Sequence, residues 1–268
     1  MVSAKDIIVK PITAQAANAL VKRVHYSGKV VNNSTLHLGA YLNDKLEGVM
    51  SFGAPMDKSK VLPVVSDTAW SGMLELNRMA FSDRLPRNSE SRCMAVAFRL
   101  IKKHYPHIEW VLSFSDGCQC GDGTIYRASG FVLTQINKNN GMYLMPDGTT
   151  EHITVFMDGS NGGGVKKRKW GYRKGEGGNL LMKRINAKKL NGYQLRYIYF
   201  LNKEARARLT VPIIPFSKID EMGTGMYKGE SIKRNTKATT GDQSVSGGAI
   251  PTITLHSSCA ASKKTHEA

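Results

Sequence analysis

The sequence predicts an α/β (α+β) domain, a mixed sheet with helices packed against it. Three observations lead there. Helical and extended patterns alternate along the chain, and a hairpin stands out over residues 36–53. Apolar residues make up 41% of the 268, against 22% charged. That balance suffices to bury a core, and no run approaches the ~18 consecutive apolar residues of a membrane-spanning helix.

Thr13 is an N-cap ahead of helix formers over 14–21, and the helix runs into His25-Tyr26 before breaking near Gly28. Residues 36–42 and 46–53 are extended runs around the polar turn Asn43-Asp44-Lys45, the pattern of a β-hairpin. A strand is expected over 74–81, then a loop over 82–91 that contains Pro86. Ser89 or Ser91 caps a helix over 92–104, which ends at Pro106. Its Met94, Val96, Ala97, Leu100 and Ile101 suit a buried face, with Arg99, Lys102 and Lys103 toward solvent. Residues 110–115 are apolar and bounded by turn signals, which suits a buried strand running out at Asp116-Gly117.

A short helix over 124–129 closes on Gly130, a natural left-handed position. A strand over 131–136, hairpin material over 142–148 and a strand over 193–201 follow. From Lys218 onward Gly, Ser, Thr and Lys dominate. The expected organisation is a folded domain over 1–217 and a largely disordered extension over 218–268.

The charge is large and concentrated. Lys and Arg number 38 against 21 Asp and Glu, a formal +17. Residues 165–210 alone hold 14 basic and 2 acidic residues, a net of +12. They lie mostly within a basic insertion, about residues 159–192, bordered by the glycine-rich run 159–164. Such an excess points to a polyanionic partner, with a nucleic acid as the leading class. Lys166, Lys167, Arg168, Lys169, Arg173 and Lys174 are the candidate phosphate contacts, with Trp170 and Tyr172 among them as surfaces for base stacking. The plainer reading is a solvated basic loop, and core packing for Tyr193, Tyr197 and Tyr199 of the following strand.

Four cysteines (Cys93, Cys118, Cys120, Cys259) are too few for a disulfide scaffold, and the C-x-C at Cys118 lacks a second pair to make a zinc site. Lys5, Asp6 and Lys10 near the start argue against a secretory signal, so a cytoplasmic protein without a membrane partner is expected.

Two places carry chemistry. The loop with Arg87, Asn88, Ser89, Ser91 and Arg92 leads into a helix, where free N–H groups, hydroxyls and guanidinium groups favour a phosphate or pyrophosphate. A capped helix with exposed arginines is the alternative. No G-x-x-x-x-G-K-S/T is present, which argues against NTP hydrolysis there. At the second place, Asp116 ends a strand while His25 and Tyr26 end the first helix. These three could meet as metal ligands or proton-transfer groups, although a histidine at a helix end is commonly structural.

Taken in order, His25-Tyr26-Ser27-Gly28, residues 46–53, Glu75-Leu76-Asn77-Arg78-Met79-Ala80, residues 87–91, residues 113–117 and residues 123–131 resemble the phage Mom family of DNA-modification proteins. The resemblance spans about residues 8–216. It implies an N-acetyltransferase-like (GNAT) fold with a mainly antiparallel sheet flanked by helices. It also implies an enzyme with double-stranded DNA as its partner, one that converts adenine N6 to a carbamoylmethyl (acetamido) form and protects phage DNA from restriction in the host cytoplasm.

By that resemblance Tyr26, Arg78, Ser91 and Asp116 are the candidate catalytic residues, and His25, Tyr26 and Asp116 the candidate ligands of an iron. Arg87, Asn88, Ser89 and Arg92 would hold the pyrophosphate of acetyl-CoA. Asn88, Ser89 and Ser91 stand where that fold usually has glycines, so another small-group donor stays open. Tyr26 and Tyr126 could stack on a flipped base. An N-acetyltransferase acting on a protein or small-molecule amine, and a non-catalytic nucleic-acid-binding protein, are the competing readings. A homodimer is left open.

Overall fold

The computed structural model describes residues 3–157, 164–227 and 230–231. In chain order the first elements are β1 (Ile8–Pro11), α1 (Ala14–Val24), β2 (Ser34–Leu42), β3 (Lys45–Gly53), α2 (Lys58–Val61), β4 (Met73–Phe81), α3 (Ser89–His104) and β5 (Trp110–Asp116). There follow α4 (Thr124–Ala128), β6 (Val132–Lys138), β7 (Met142–Leu144), β8 (Thr150–His152), α5 (Gly164–Lys169), α6 (Gly178–Arg184), β9 (Lys188–Lys189), β10 (Tyr193–Phe200), α7 (Lys203–Ala207), α8 (Ser217–Glu221), β11 (Met226–Tyr227) and β12 (Glu230–Ser231). Among the described residues no helix is long and apolar enough to cross a membrane.

Local chemistry accounts for the elements that were legible. The Thr13 hydroxyl accepts the Ala16 N–H at 3.2 Å and starts α1. Asn43 and Asp44 both take positive φ, 49° and 58°, so the β2–β3 turn is a tight two-residue one that such residues tolerate. Lys45 therefore belongs to β3, not to the turn. β1 and its pairing with β2 carry no strong signal in the sequence, because four residues that are mostly exposed show little alternation.

Seven strands form one sheet in the order β1-β2-β3-β4-β5-β10-β6, with three short strands in a second sheet, β8-β7-β9. Every neighbouring pair in the large sheet is antiparallel except β4 and β5. That parallel pair is joined by α3 and registers only from Met73, Leu74 and Glu75 to Trp110, Val111 and Leu112. Beyond Glu75 and Leu112 both strands run on without pairing to each other, so the sheet opens between them.

Both faces are covered. Met50 and Phe52 of β3 share a cluster with Met94, Ala97 and Ile101 of α3, whereas Val49 joins Ala17, Leu20 and Val21 of α1, as the two-residue period of a strand requires. The α3 face matches expectation at these three positions, with Cys93 and Phe98 buried as well. A further cluster gathers Trp110, Leu112 and Ile198 with Val64, Val65 and Ala205.

Three boundaries differ from the sequence reading. α3 begins at Ser89, and its N-cap is Asn88 at φ 67° with no side-chain cap, rather than a serine. The Ser89 hydroxyl instead donates to the Pro86 carbonyl, and that of Ser91 to the Asn88 carbonyl at 3.2 Å. The domain also continues past residue 217. Ile219 is fully buried in the main cluster, and the Met226 carbonyl accepts the Asp122 N–H at 3.1 Å. Most of the extension expected to be disordered, residues 228–229 and 232–268, lies outside the described residues.

The third difference concerns the basic insertion. Pairing of β7 with β8 and with β9 makes the inserted unit begin near Gly141, well before the glycine-rich run. The unit has its own core of Met145, Ile153, Phe156, Leu181 and Met182, against which Trp170 and Tyr172 pack. A surface excursion of this length keeps a fixed shape only if it buries apolar area of its own. Truncating Leu181 to Ala is expected to cost about 2–5 kcal/mol of local stability. Limited proteolysis should then cut within 141–190 while the seven-stranded sheet stays intact. Uniform protection of the inserted unit would contradict the satellite core.

Candidate active site

The opening between β4 and β5 gathers four of the five residues nominated as catalytic or metal-binding, His25, Tyr26, Arg78 and Asp116, whereas Ser91 lies on a groove at the start of α3. Arg78 lies on β4 past the last β4–β5 pair, Asp116 is the final residue of β5, and His25-Tyr26 follows directly on α1. The Arg78 Nε donates to the Lys29 carbonyl and its Nη1 to the Asn77 carbonyl, both at 2.9 Å, which fixes the guanidinium across the gap. Asp116 accepts the Cys118 N–H on Oδ1 at 3.0 Å and the Gln119 side-chain amide on Oδ2 at 2.9 Å. A carboxylate ending a strand thus has both oxygens oriented by the turn that follows it.

Tyr26 sits within the electrostatic reach of Asp116, Cys120, Arg78 and Tyr126. Burial first, then the negative Asp116, drive its phenol well above the ordinary range, so Tyr26 stays protonated and can serve as a hydrogen-bond donor. His25 is also desolvated, and the neighbouring Arg78 cation adds to the effect, holding its imidazole down at about 3. Its Nδ1 takes the Ser27 N–H at 3.2 Å and faces the Ser27 hydroxyl at 2.8 Å, which leaves the proton on Nε2. The His25 and Tyr26 rings lie 4.2 Å apart.

A metal does not fit this trio. Burial and the nearby Arg78 guanidinium hold the His25 imidazole uncharged, and the positive charge of that guanidinium opposes a cation at the same place. Among the described residues no group of three or more His, Cys, Asp or Glu side chains could hold a metal ion. The expected iron site at His25, Tyr26 and Asp116 is therefore not supported by the residues present.

Sequence reasoning passed over Glu75. It lies on β4 in the same opening, and burial raises its carboxyl to about 7 despite Arg78 and a hydrogen bond from Asn77. Its spacing from Arg78 gave no signal, since residues three apart in a strand fall on opposite faces by period; the β3–β4 ladder shifts register between the two, skipping Asn77. Tyr126 is in the cluster, and much of its ring is engaged by aromatic neighbours. Its ring is wedged 5.2 Å from both Phe131 and Tyr197, and burial pushes its phenol up to about 12. Gly123 at φ 84° makes this packing possible, because a Cβ there would collide with the Tyr197 ring.

Arg87, Asn88, Ser91 and Arg92 line an open groove of about 720 Å³ at the start of α3, together with Lys5, Ala128 and Ser129. Three cations and a helix N-terminus suit an anion. Ser89 is not part of it, being fully buried with its hydroxyl turned to Pro86. The Glu90 carboxyl turns back onto its own backbone N–H, so one donor of the first turn is taken. α4 borders both places, with Tyr126 in the cluster and Ala128 on the groove.

The satellite carries much of the basic surface, and its cations are not equivalent. Lys166 is paired with Glu151 at 2.8 Å, Lys169 is paired with Asp147, and Lys167 donates to the Met157 carbonyl at 2.8 Å while lying over Tyr172. Arg168, Arg173 and Lys174 are exposed, as are Lys183, Lys188 and Lys189. Trp170 and Tyr172 are half-buried in the satellite core under Lys169 and Lys167, a correction to their reading as stacking surfaces.

A model of the Mom protein family matches residues 6–218 of this chain. The methylcarbamoylase mom of Escherichia phage Mu is 35% identical over 210 residues, which are 78% of this chain and 81% of that protein. Among solved structures, the ribosomal-protein-S18-alanine N-acetyltransferase from Escherichia coli covers 73% of this chain and 94% of its own, at 10% identity and a TM-score of 0.40. The IAA acetyltransferase from Bacillus cereus covers 72% and 99%, at 9% identity and a TM-score of 0.39.

The two perturbed groups make opposite demands on stability. His25, lowered from 6.5 to about 3, contributes stability that is present above pH 6.5 and lost as pH falls toward 3. Glu75, raised from 4.5 to about 7, contributes stability that is present at acid pH and lost as pH rises from 4.5 through 7. The two effects oppose each other between 4.5 and 6.5. His25→Gln should therefore lessen the loss of stability below pH 4.5, and Glu75→Gln should remove part of the decline toward pH 7, as read from denaturant midpoints. Midpoint curves parallel to wild type across the acid range would contradict the desolvated imidazole.

Proposed function

The chain belongs to the Mom protein family, and from that premise we propose that it is a DNA-modification enzyme that places a carbamoylmethyl group on adenine N6. The observation that carries the reading is the meeting of Tyr26, Arg78 and Asp116 where β4 and β5 part, beside a satellite with a cationic exterior. A role in protecting phage DNA from restriction follows from the same premise.

The chemistry sets what these residues must do. The N6 lone pair is delocalised into the purine ring, so N6 is a weak nucleophile and must shed a proton as the new N–C bond forms. Asp116 is the proposed acceptor of that proton, with both of its oxygens held in place. Arg78, anchored by two main-chain carbonyls, stabilises negative charge that develops in the opening. Tyr26 remains a phenol and donates a hydrogen bond to substrate. Reaching N6 in a duplex requires flipping the base, which costs a few kcal/mol of unstacking, and cations on the DNA backbone offset it.

The donor supplies the activated small group. For the N–C bond to form, that donor must carry a carbamoylmethyl group whose methylene bears a leaving group, which departs as N6 attacks; Arg87, Ser91 and Arg92 suit the phosphates of such a donor. The same cluster would serve an amine acetyltransferase, but that reaction leaves the exposed cations Arg168, Arg173 and Lys174 of the satellite without a use.

Mass spectrometry of nucleosides from the DNA of expressing cells tests the proposal. A deoxyadenosine carrying a carbamoylmethyl increment is expected for wild type and should fall at least ~100-fold for Asp116→Asn, the scale of a lost general base. Tyr26→Phe, which keeps the ring packing, should reduce it as well. Unmodified deoxyadenosine from cells that contain soluble wild-type protein would reject the reading.

A second measurement locates the DNA surface. Replacing Arg168, Arg173 and Lys174 by Ala should weaken duplex binding and flatten its dependence on log salt by ~0.9 for each phosphate no longer neutralised. Lys166→Ala should leave that slope unchanged, because Lys166 is paired with Glu151. The opposite pattern would place the DNA surface elsewhere.

A further inference from the structure

We propose that Gln119 and Thr150 are positioning residues, through which the satellite holds Asp116 in line with Arg78. The role rests on the reading of Asp116 and Arg78 as active groups, while the hydrogen bonds themselves do not. Asp116 and Arg78 stand on strands that have already separated, so the sheet does not fix one relative to the other. A separate chain of polar contacts does.

The Gln119 Nε2 donates to Asp116 Oδ2 at 2.9 Å, and the Gln119 Oε1 accepts the Thr150 hydroxyl at 2.6 Å. A primary amide can donate and accept at the same side-chain end. A glutamate there would set a second carboxylate against Asp116, and a leucine would make neither bond. Thr150 opens β8, and its carbonyl accepts Lys29 Nζ at 2.7 Å. Lys29 also pairs with Glu151 at 3.0 Å, and its own carbonyl accepts Arg78 Nε at 2.9 Å. The path Asp116–Gln119–Thr150–Lys29–Arg78 thus bridges the opening by way of the satellite.

Glu151 anchors this bridge. Its side chain is only 9% exposed and it holds both Lys29 and Lys166, the latter at 2.8 Å from α5. Removing either lysine leaves a buried carboxylate partly uncompensated. The geometry therefore gives Lys166 a structural use within the satellite, and gives the satellite a use besides attracting DNA.

The test compares full-length wild type with Thr150→Val, Thr150→Ser, Gln119→Leu and the Thr150→Val/Gln119→Leu double variant. Hydrogen exchange over residues 116–122 reads the linkage without requiring activity, since the Cys118 and Cys120 amides donate to the Asp116 carboxylate and carbonyl. Thr150→Val and Gln119→Leu should exchange about fivefold faster there, the scale of one net hydrogen bond. Exchange around Leu181 and Met182 should stay as in wild type.

Thr150→Ser, which keeps the hydroxyl, should behave as wild type. The double variant should exchange no faster than Gln119→Leu alone. In cells, the rate at which plasmid adenine becomes modified should fall about tenfold for Thr150→Val, while its affinity for a duplex oligonucleotide stays within about twofold. Unchanged exchange at 116–122 in Thr150→Val overturns the proposal, as does a loss of DNA affinity with the modification rate kept. If wild type modifies no adenine, the functional reading fails, and exchange still decides whether the satellite holds Asp116.

Discussion

Much of the molecule depends on one short parallel contact. β4 and β5 share register over only three pairs, Met73–Trp110 to Glu75–Leu112, within a sheet that is otherwise antiparallel. A parallel pair needs a crossover, and α3 supplies it, bringing its N-terminus and the groove of Arg87, Ser91 and Arg92 to the same end of the sheet. Past the third pair the strands separate, and main-chain groups that would have met each other frame a recess. Strand continuation carries Arg78 and Asp116 into that recess, and Glu75 stands at its edge in the last pair.

The recess owes its electrostatics to incomplete burial of charge. Arg78 is desolvated and near Tyr26, Glu75 and Tyr126, so each neighbour's protonation responds to it. The imidazole of His25 is kept neutral, the phenol of Tyr26 is kept protonated, and the Glu75 carboxyl moves to about 7. Groups with such displaced values in one opening are characteristic of sites that handle protons. The same features argue against a cation ligand set at His25, since the nearest fixed charge is positive.

The satellite inserted between β6 and β10 resolves a conflict between two demands. The proposed DNA surface needs dense positive charge, whereas a stable fold needs that charge dispersed or paired. Here Lys166 and Lys169 are paired with Glu151 and Asp147, while Arg168, Arg173 and Lys174 face outward. Trp170 and Tyr172 serve the core, with lysine ammonium groups over their faces. Composition counted all these residues alike, because net charge carries no record of who neutralises whom.

Short-range information was legible in the sequence. The Thr13 cap, the Asn43-Asp44 turn, the apolar face of α3 and the apolar run of β5 all follow from hydrogen bonds or periodicities that span a few residues. The resemblance to the family named Tyr26, Arg78, Ser91 and Asp116 together; Tyr26 lies near Arg78 and Asp116, while Ser91 lines the groove at the start of α3 instead. Glu75, the Gln119–Thr150 bond and the inward turn of Ser89 were not legible, since each depends on a partner whose nearness the sequence does not state. The insertion of β10 between β5 and β6, the docking of residues 219–226, and the division of lysines into paired and exposed were likewise decided only in three dimensions. By itself the sequence determined the main helices and strands of the sheet, β1 apart, and where positive charge accumulates. Tertiary structure decided which of those segments face each other, because contacts between distant residues are selected by burial and complementarity over the whole chain.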